Sequence, residues 1–362
     1  MAFFKVRRQH AAIAAAALVV TMALALGGKT VTAHGPGGHE RSRSSEGHER
    51  YTIALFGDMP YGALGKQQYP NLLAEINASD VAFSVFDGDL KAGGDGPCSD
   101  DNLYAPALAN FDKLERPLIW VPGDNDWTDC WGRYGPGTGT DDPLERLDHE
   151  RRLFASTDRS LGRKTLRLTR ESQEGGQYAP YVENVRWTLG PVVYLGLNVQ
   201  GSNDNYPYAG VDGETRSDAE IGRQRAEEVA RKAANLHWLD EGFAFAKRTG
   251  AKGVMIIWQA DPNFNNDQHV ADPRSADAYP DYVDALRAHS LSFKGQVALV
   301  HGDGHYFKLD QPLSGPKGGV VPNFTRVETF GARNTHWVSA TIDADDPKLF
   351  RFEARIVSAN VD

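Results

Sequence analysis

The chain has 362 residues, 41% of them hydrophobic and 24% charged, which is enough apolar material for one large globular domain or two small ones. Its formal net charge of −9 argues against duplex nucleic acid as a partner, because DNA and RNA phosphates select basic surfaces.

The first thirty-three residues read apart from the rest. Lys5, Arg7 and Arg8 make a basic start, Ala11 to Leu26 is an uncharged run, and Val31-Thr32-Ala33 offers small residues for cleavage. This is the layout of a secretory signal peptide cut after Ala33, which places the mature protein in a periplasm or outside the cell. Cleavage removes four positive charges and no negative one, so the mature charge is −13. The run is short for a membrane span, and no later segment is long and apolar enough to supply one. Residues 34–50 carry three histidines but little to bury, and they read as a flexible tether. The folded domain is expected over 51–362.

Within that domain, five segments share one design: an apolar run that stops on polar residues. They are Ile53–Asp58, Val85–Asp89, Ile119–Asp126, Val254–Gln259 and Val297–His305. Each reads as a buried strand ending in a carboxylate, amide or imidazole. Between them, helices are expected over Tyr69–Ala78, Asn102–Leu114, Asp142–Phe154 and within Ser217–Thr249. The last opens on a Ser217/Glu220 capping box. Residues 135–139 read as loop, Gln177–Thr188 as short strands, and Val192–Leu197 as a buried strand. The end of the chain turns all-β at Phe324–Phe330, Trp337–Ile342 and Leu349–Val357. This rhythm predicts a layered α/β fold.

In such folds the strand ends build the site. Carboxylates gathered there repel one another, and a bound cation is the simplest way to hold them together. The two cysteines, Cys98 and Cys130, follow the second and third polar strand ends. In an exported protein they are expected to pair, tying those two loops together.

The order of these segments resembles the calcineurin-like metallophosphoesterase superfamily, whose motifs are Asp-x-His, Gly-Asp, Gly-Asn-His-Asp/Glu, a lone His after a strand, and Gly-His-x-His. The matching stretches are Asp58-Met59-Pro60, Gly88-Asp89, Gly123-Asp124-Asn125-Asp126, Gln259 after Trp258, and Gly302-Asp303-Gly304-His305. Asn235-Leu236-His237-Trp238-Leu239 resembles the helix segment that often precedes the fourth motif. The likeness spans Tyr51 to Ile342. It implies a layered β-sandwich of two mixed sheets flanked by helices.

It also implies a metal site. Asp89 would bridge two ions, Asp58 and His305 would hold one, and Asp124, Gln259 and Asp303 the other. Pro60 stands where the family has a metal-binding histidine, Asp124 stands for its Asn, and Gln259 and Asp303 put oxygen donors where it has histidines. The site is therefore expected to prefer Mn, Mg or Ca, and to hold one or two ions. Asn125 replaces the family's phosphate-binding histidine. It can donate a hydrogen bond to phosphate but cannot deliver a proton. Asn125 and His305 are the candidate catalytic residues, with Asp126, His269, His301 and His336 as further candidates for the acid.

The activity implied is hydrolysis of small phosphate mono- or diesters by metal-activated water. The alternative is an inactive phosphoesterase-fold binding module holding a structural hard cation. Tyr61, Trp127, Trp131, Tyr134, Phe264 and Asn265 could wall a pocket or simply pack. Arg163, Lys164 and Arg167 read as a solvated basic face. Substrate and oligomeric state are not legible.

Overall fold

The computed structural model describes residues 50–131, 142–206, 217–264 and 278–361. The expected signal peptide, the tether up to residue 49, Tyr134, the 135–139 loop, Asn265, His269 and the Trp131 side chain lie outside them.

Two mixed sheets carry the fold. The first has five strands: β1 (Arg50–Phe56), β2 (Val81–Phe86), β3 (Leu118–Trp120), β11 (Trp337–Asp343) and β12 (Phe350–Arg355), in the order β12-β11-β1-β2-β3. The second has seven: β4 (Thr169–Arg170), β5 (Val185–Leu189), β6 (Val192–Gly196), β7 (Gly253–Ile257), β8 (Gln296–His301), β9 (Lys308–Asp310) and β10 (Phe324–Glu328), in the order β4-β5-β6-β7-β8-β10-β9. In the first sheet β1, β2 and β3 run parallel; in the second β6, β7, β8 and β10 do.

The central parallel strands are apolar on both faces because both faces are covered. Ile53, Leu55, Phe83, Val85 and Ile119 of one sheet share a core with Tyr194, Met255, Ile257, Ala298 and Val300 of the other. The alternate residues face helices. Ala54 and Phe56 meet Leu72, Leu73 and Ile76 of α1 (Gly62–Ala78), along with residues of α2 (Ala105–Phe111) and α3 (Pro143–Phe154). On the other side Leu195, Ile256 and Leu299 meet Trp238, Leu239 and Phe243 of α5 (Asp218–Thr249) and Tyr282 and Leu286 of α6 (Pro280–Ser292). A short turn labelled α4 (Gly201–Asp204) lies between β6 and α5.

Several expectations are met. Asp142 caps α3, its side-chain oxygen accepting the Leu144 N–H. Ser217 and Glu220 form the capping box of α5, which ends on Gly250 at φ 69°. Cys98 and Cys130 are disulfide-bonded. Others shift. α1 begins at Gly62, seven residues before the expected start, with Pro70 inside it. The expected 102–114 helix is a wide π-turn at Asp100–Tyr104 followed by the short α2. Of 177–188, only the end joins β5. α6 was not read from the sequence; its apolar face is a thin stripe of Tyr282 and Leu286 on a polar helix.

Candidate functional site

The parallel strands of each sheet stop in register. Phe56, Phe86 and Trp120 are partners across one sheet, and Gly196, Ile257 and Val300 across the other. The residues just past these ends meet between the sheets: Asp58 after β1, Asp89 after β2, Asp124 and Asn125 after β3, Gln259 after β7, and Asp303 and His305 after β8. Four of them hold left-handed backbone without being glycine: Asp58 (φ 49°), Asp89 (65°), Asp303 (73°) and His305 (75°). Each such residue costs about 1–3 kcal/mol and persists only where its surroundings over-determine it.

Hydrogen bonds knit the group together. Tyr61 donates its hydroxyl to Asp89 Oδ2 at 2.6 Å and reaches Asp58 Oδ1 at 3.4 Å. Asn125 donates its backbone N–H to Asp89 Oδ1 at 3.1 Å and its side-chain amide to Asp89 Oδ2 at 2.6 Å. The Asp303 N–H donates to Asp58 Oδ2 at 3.1 Å, and His305 Nε2 lies 3.4 Å from Asp58 Oδ1. The Tyr61 ring meets the His305 ring edge to face at 5.3 Å.

Gln259 differs from expectation. Its Oε1, expected to face a metal, accepts the Gly201 N–H at 2.5 Å. Because a backbone N–H can only donate, this orientation turns the amide NH2 toward the carboxylates. It donates to Asp124 Oδ1 at 3.2 Å and Asp303 Oδ1 at 3.4 Å. The amide therefore bridges two acids that the sequence reading assigned to a cation. Gly201 must be glycine here, since a Cβ would stand 2.8 Å from both Asp124 Oδ2 and Asp303 Oδ1.

The electrostatics are strained. Burial, then the neighbouring Asp124, Asp58 and Asp126, pushes the Asp89 carboxyl well above the usual range. Burial, then Asp124, Asp58 and Asp261, does the same to Asp303. Burial lowers the His305 imidazole, but its bond to Asp58 and the surrounding acids raise it overall. Lys91 is buried beside the group, its ammonium donating to the Ala92 and Gly93 carbonyls at 3.3 and 3.4 Å. Four acids, Asp58, Asp89, Asp124 and Asp303, share this corner with few cations, a repulsion that a hard divalent ion would relieve; among the described residues, the group with ligand atoms already within 4.8 Å of one another is a different one.

The other sequence candidates fall elsewhere. The Asp126 carboxylate is fully buried and accepts the N–H groups of Leu90 (2.6 Å), Asp89 (3.1 Å) and Gly123 (3.1 Å). Burial lifts it to about 7, against those hydrogen bonds, and its role is to clasp the Asp89 loop to the Asp124 loop. His336 accepts the Val357 N–H at Nδ1 and packs against Phe330. Trp127 is buried under the Arg231 guanidinium, 5.4 Å from its ring centre. Phe264 packs on Phe324. Asn235 lies in a buried network with Asn184, Asn198 and Tyr282, while His237 pairs with Glu174 on the surface. Arg163, Lys164 and Arg167 are exposed, with Arg167 paired to Asp158.

One segment at the site was missed. Ser202, Asn203, Asp204 and Asn205 are four consecutive residues in left-handed backbone, φ 48° to 62°. Buried Arg231 of α5 holds this turn, donating to Asp204 Oδ1 at 2.5 Å, the Asp204 carbonyl at 2.7 Å and the Asn198 carbonyl at 2.8 Å. Tyr282 donates to Asp204 Oδ2 at 3.0 Å. The run Gly-Ser-Asn-Asp-Asn was the available signal, since Asn and Asp tolerate this conformation best after glycine. Next to the strand-end group, which the Asp261 N–H touches at Asp303, lies a buried group of acid and imidazole donors, Asp261, His301 and Glu328, with one ligand atom from each within 4.8 Å of the others and able to hold a metal. None of the six expected ligands belongs to it.

No protein-family model and no curated protein sequence matches this chain. Among solved structures, it is similar to a chain described as GAP50, the anchor in the inner membrane complex of Plasmodium. The likeness has a TM-score of 0.42 and 10% identity, and covers 85% of this chain and 89% of that one. At that level it assigns neither a fold family nor an activity. Among the described residues, no helix is long and apolar enough to cross a membrane.

Proposed function

We propose that this chain is an exported, metal-dependent phosphoesterase of the metallophosphoesterase-like fold, acting on small phosphate mono- or diesters. One observation carries the reading: four strained, non-glycine residues, Asp58, Asp89, Asp303 and His305, converge at the ends of parallel strands from two sheets. In this reading Asp58, Asp89, Asp124 and Asp303 hold a hard divalent cation, Mn, Mg or Ca. When bound, such a cation supplies Lewis acidity to water and to the phosphoryl oxygens. Asn125 orients those oxygens through its amide N–H, while the Tyr61 O–H stays on Asp89. The His305 side chain, a third exposed beside Asp58, holds the proton at Nε2 for the leaving oxygen. Asp126 positions Asp89 through the loop it clasps.

A second reading is favoured by a specific contact. The Gln259 amide already bridges Asp124 and Asp303, which supports a binding module that holds a cation without turnover.

The purified full chain separates the two. It is stripped of metal, reloaded with Mn, Mg or Ca, and assayed on p-nitrophenyl phosphate and the bis-ester. Hydrolysis that falls at least 100-fold in Asp89→Asn supports the phosphoesterase. Stoichiometric cation uptake with no turnover on either ester leaves the binding module. Turnover and metal content both unchanged in Asp89→Asn would remove the strand-end group from any role.

A further inference from the structure

We propose that Asp261, His301 and Glu328 form a separate, buried binding site for a divalent transition-metal cation, behind the strand-end group. The three residues come from three neighbouring strands of the second sheet. His301 ends β8, Glu328 ends β10 directly opposite it in register, and Asp261 lies in the loop after β7, on the other side of β8. On β8, alternation puts Val297 and Leu299 in the helix-facing core, and His301 follows the same parity. Phe324 does the same for Glu328 on β10. All three side chains are buried, with 3%, 0% and 0% of their surfaces exposed.

The tautomer of His301 carries the argument. Its Nδ1 is 2.8 Å from the Gly302 carbonyl oxygen, which can only accept, so Nδ1 bears the proton. In the neutral ring Nε2 is then a bare lone pair. It has no hydrogen-bond partner, nor does Asp261 Oδ2, nor does either carboxylate oxygen of Glu328. Acceptors thus face one another in a buried pocket, an arrangement that costs free energy unless something positive lies between them. An imidazole that ligates a metal typically donates its other N–H to a backbone carbonyl, as His301 does.

Nearby fixed cations do not close the deficit. The Arg326 guanidinium grips Asp310 with two of its nitrogens, at 2.8 and 2.5 Å, and stands off Asp261 at 3.7 Å. Lys308 Nζ is 3.3 Å from Glu328 Oε2 but not aligned as a hydrogen bond. Three carboxylates therefore meet two cations. Ligands at about 2.0–2.2 Å from one ion stand roughly 3–4 Å apart, so a spread within 4.8 Å needs little closing. One imidazole nitrogen with two carboxylates suits zinc or manganese better than magnesium or calcium. The ion would pin the loop after β7 to β8 and β10. Because the Asp261 N–H donates to Asp303 Oδ2 at 3.3 Å, that pin would also steady the strand-end group.

The competing occupant is a proton on Nε2. The test uses the full chain, stripped and then dialysed against zinc chloride or manganese chloride, with metal per chain measured by elemental analysis. Asp89→Asn disables the strand-end group, and Glu328→Gln and His301→Gln disable the proposed site. We expect Asp89→Asn to keep one ion that Glu328→Gln and His301→Gln, each added to it, lose. That ion should also raise the melting temperature of Asp89→Asn over the chelator-treated sample. Circular dichroism identifies a variant that fails to fold, and the other variant then decides. If both fail to fold, the Asp89→Asn protein alone decides by its metal content and melting shift. No ion retained by Asp89→Asn from either salt, or an ion unaffected by both substitutions in folded protein, overturns the proposal and leaves the proton as occupant.

Discussion

Gln259 uses both ends of its amide: the oxygen takes the Gly201 N–H, and the nitrogen spans Asp124 and Asp303. Gln259→Glu keeps the first bond and turns the second into a fifth charge among acids. In chelator it should lose about 3–5 kcal/mol of stability, the cost of an uncompensated buried charge. Mn should restore most of that loss. Thermal melts with chelator and with Mn read both, and an unchanged melt in chelator would mean the amide balances nothing. Glu171 gives a pH prediction. It is buried, its Oε1 has no partner, and Asn184 donates to Oε2 at 2.7 Å. Burial pushes it up to about 8. Between the ordinary glutamate range, about 4.3, and that value, the folded state binds the proton and the unfolded state does not. Stability from this group is therefore lost as pH rises through the window. Glu171→Gln should match the parent at pH 4.5 and exceed it by about 3–5 kcal/mol near pH 8.5. Urea titrations at the two pH values check it, and an equal difference at both would place the effect outside ionisation.

Among the elements, α5 was the most legible and is the most consequential. Its cap, its length and its Gly250 stop follow from local chemistry: Ser217 and Glu220 satisfy free N–H groups, and glycine accepts the left-handed exit. Ser217→Ala should cost about 0.5–2 kcal/mol, read as a shift in the urea midpoint with unchanged slope. A change below the error of the measurement would show that packing, not the cap, sets this end. The rest of what α5 does was not legible. Arg231 appears in the sequence as one more charge on a charged helix, yet it is fully buried and holds the left-handed 202–205 turn. Nothing in the residues near Arg231 announces a partner 27 positions away. α6 was missed for a related reason, since its thin apolar stripe gains meaning only against Phe243 and Leu299 in the assembled layer.

Across the whole molecule, two sheets face each other over a shared core, and helices cover both outer faces. The Cys98–Cys130 bond closes a 32-residue separation beside the site. By loop closure it should contribute about 3–4 kcal/mol. Melts of the parent with and without reductant, and of the Cys98→Ala/Cys130→Ala variant, test this. A variant as stable as the oxidised parent would assign the bond no role in stability. The sequence by itself determined the long buried strands, their polar ends, the cysteine pairing and the long capped helix, because each rests on periodicity, capping or composition within a short window; the short β4 and β9 carry no such pattern. It also singled out Asp58, Asp89, Asp124, Asn125, Gln259, Asp303 and His305, since strand ends in such folds converge. Only the tertiary structure decided which atoms those residues present. Gln259 turns its oxygen away because Gly201 arrives from another strand end. Asp126 is a clasp because the N–H groups of two separate loops meet it. His301 and Glu328 face each other because β8 and β10 pair in register, across 27 residues of chain. Such partners are set by topology, and no local pattern encodes them.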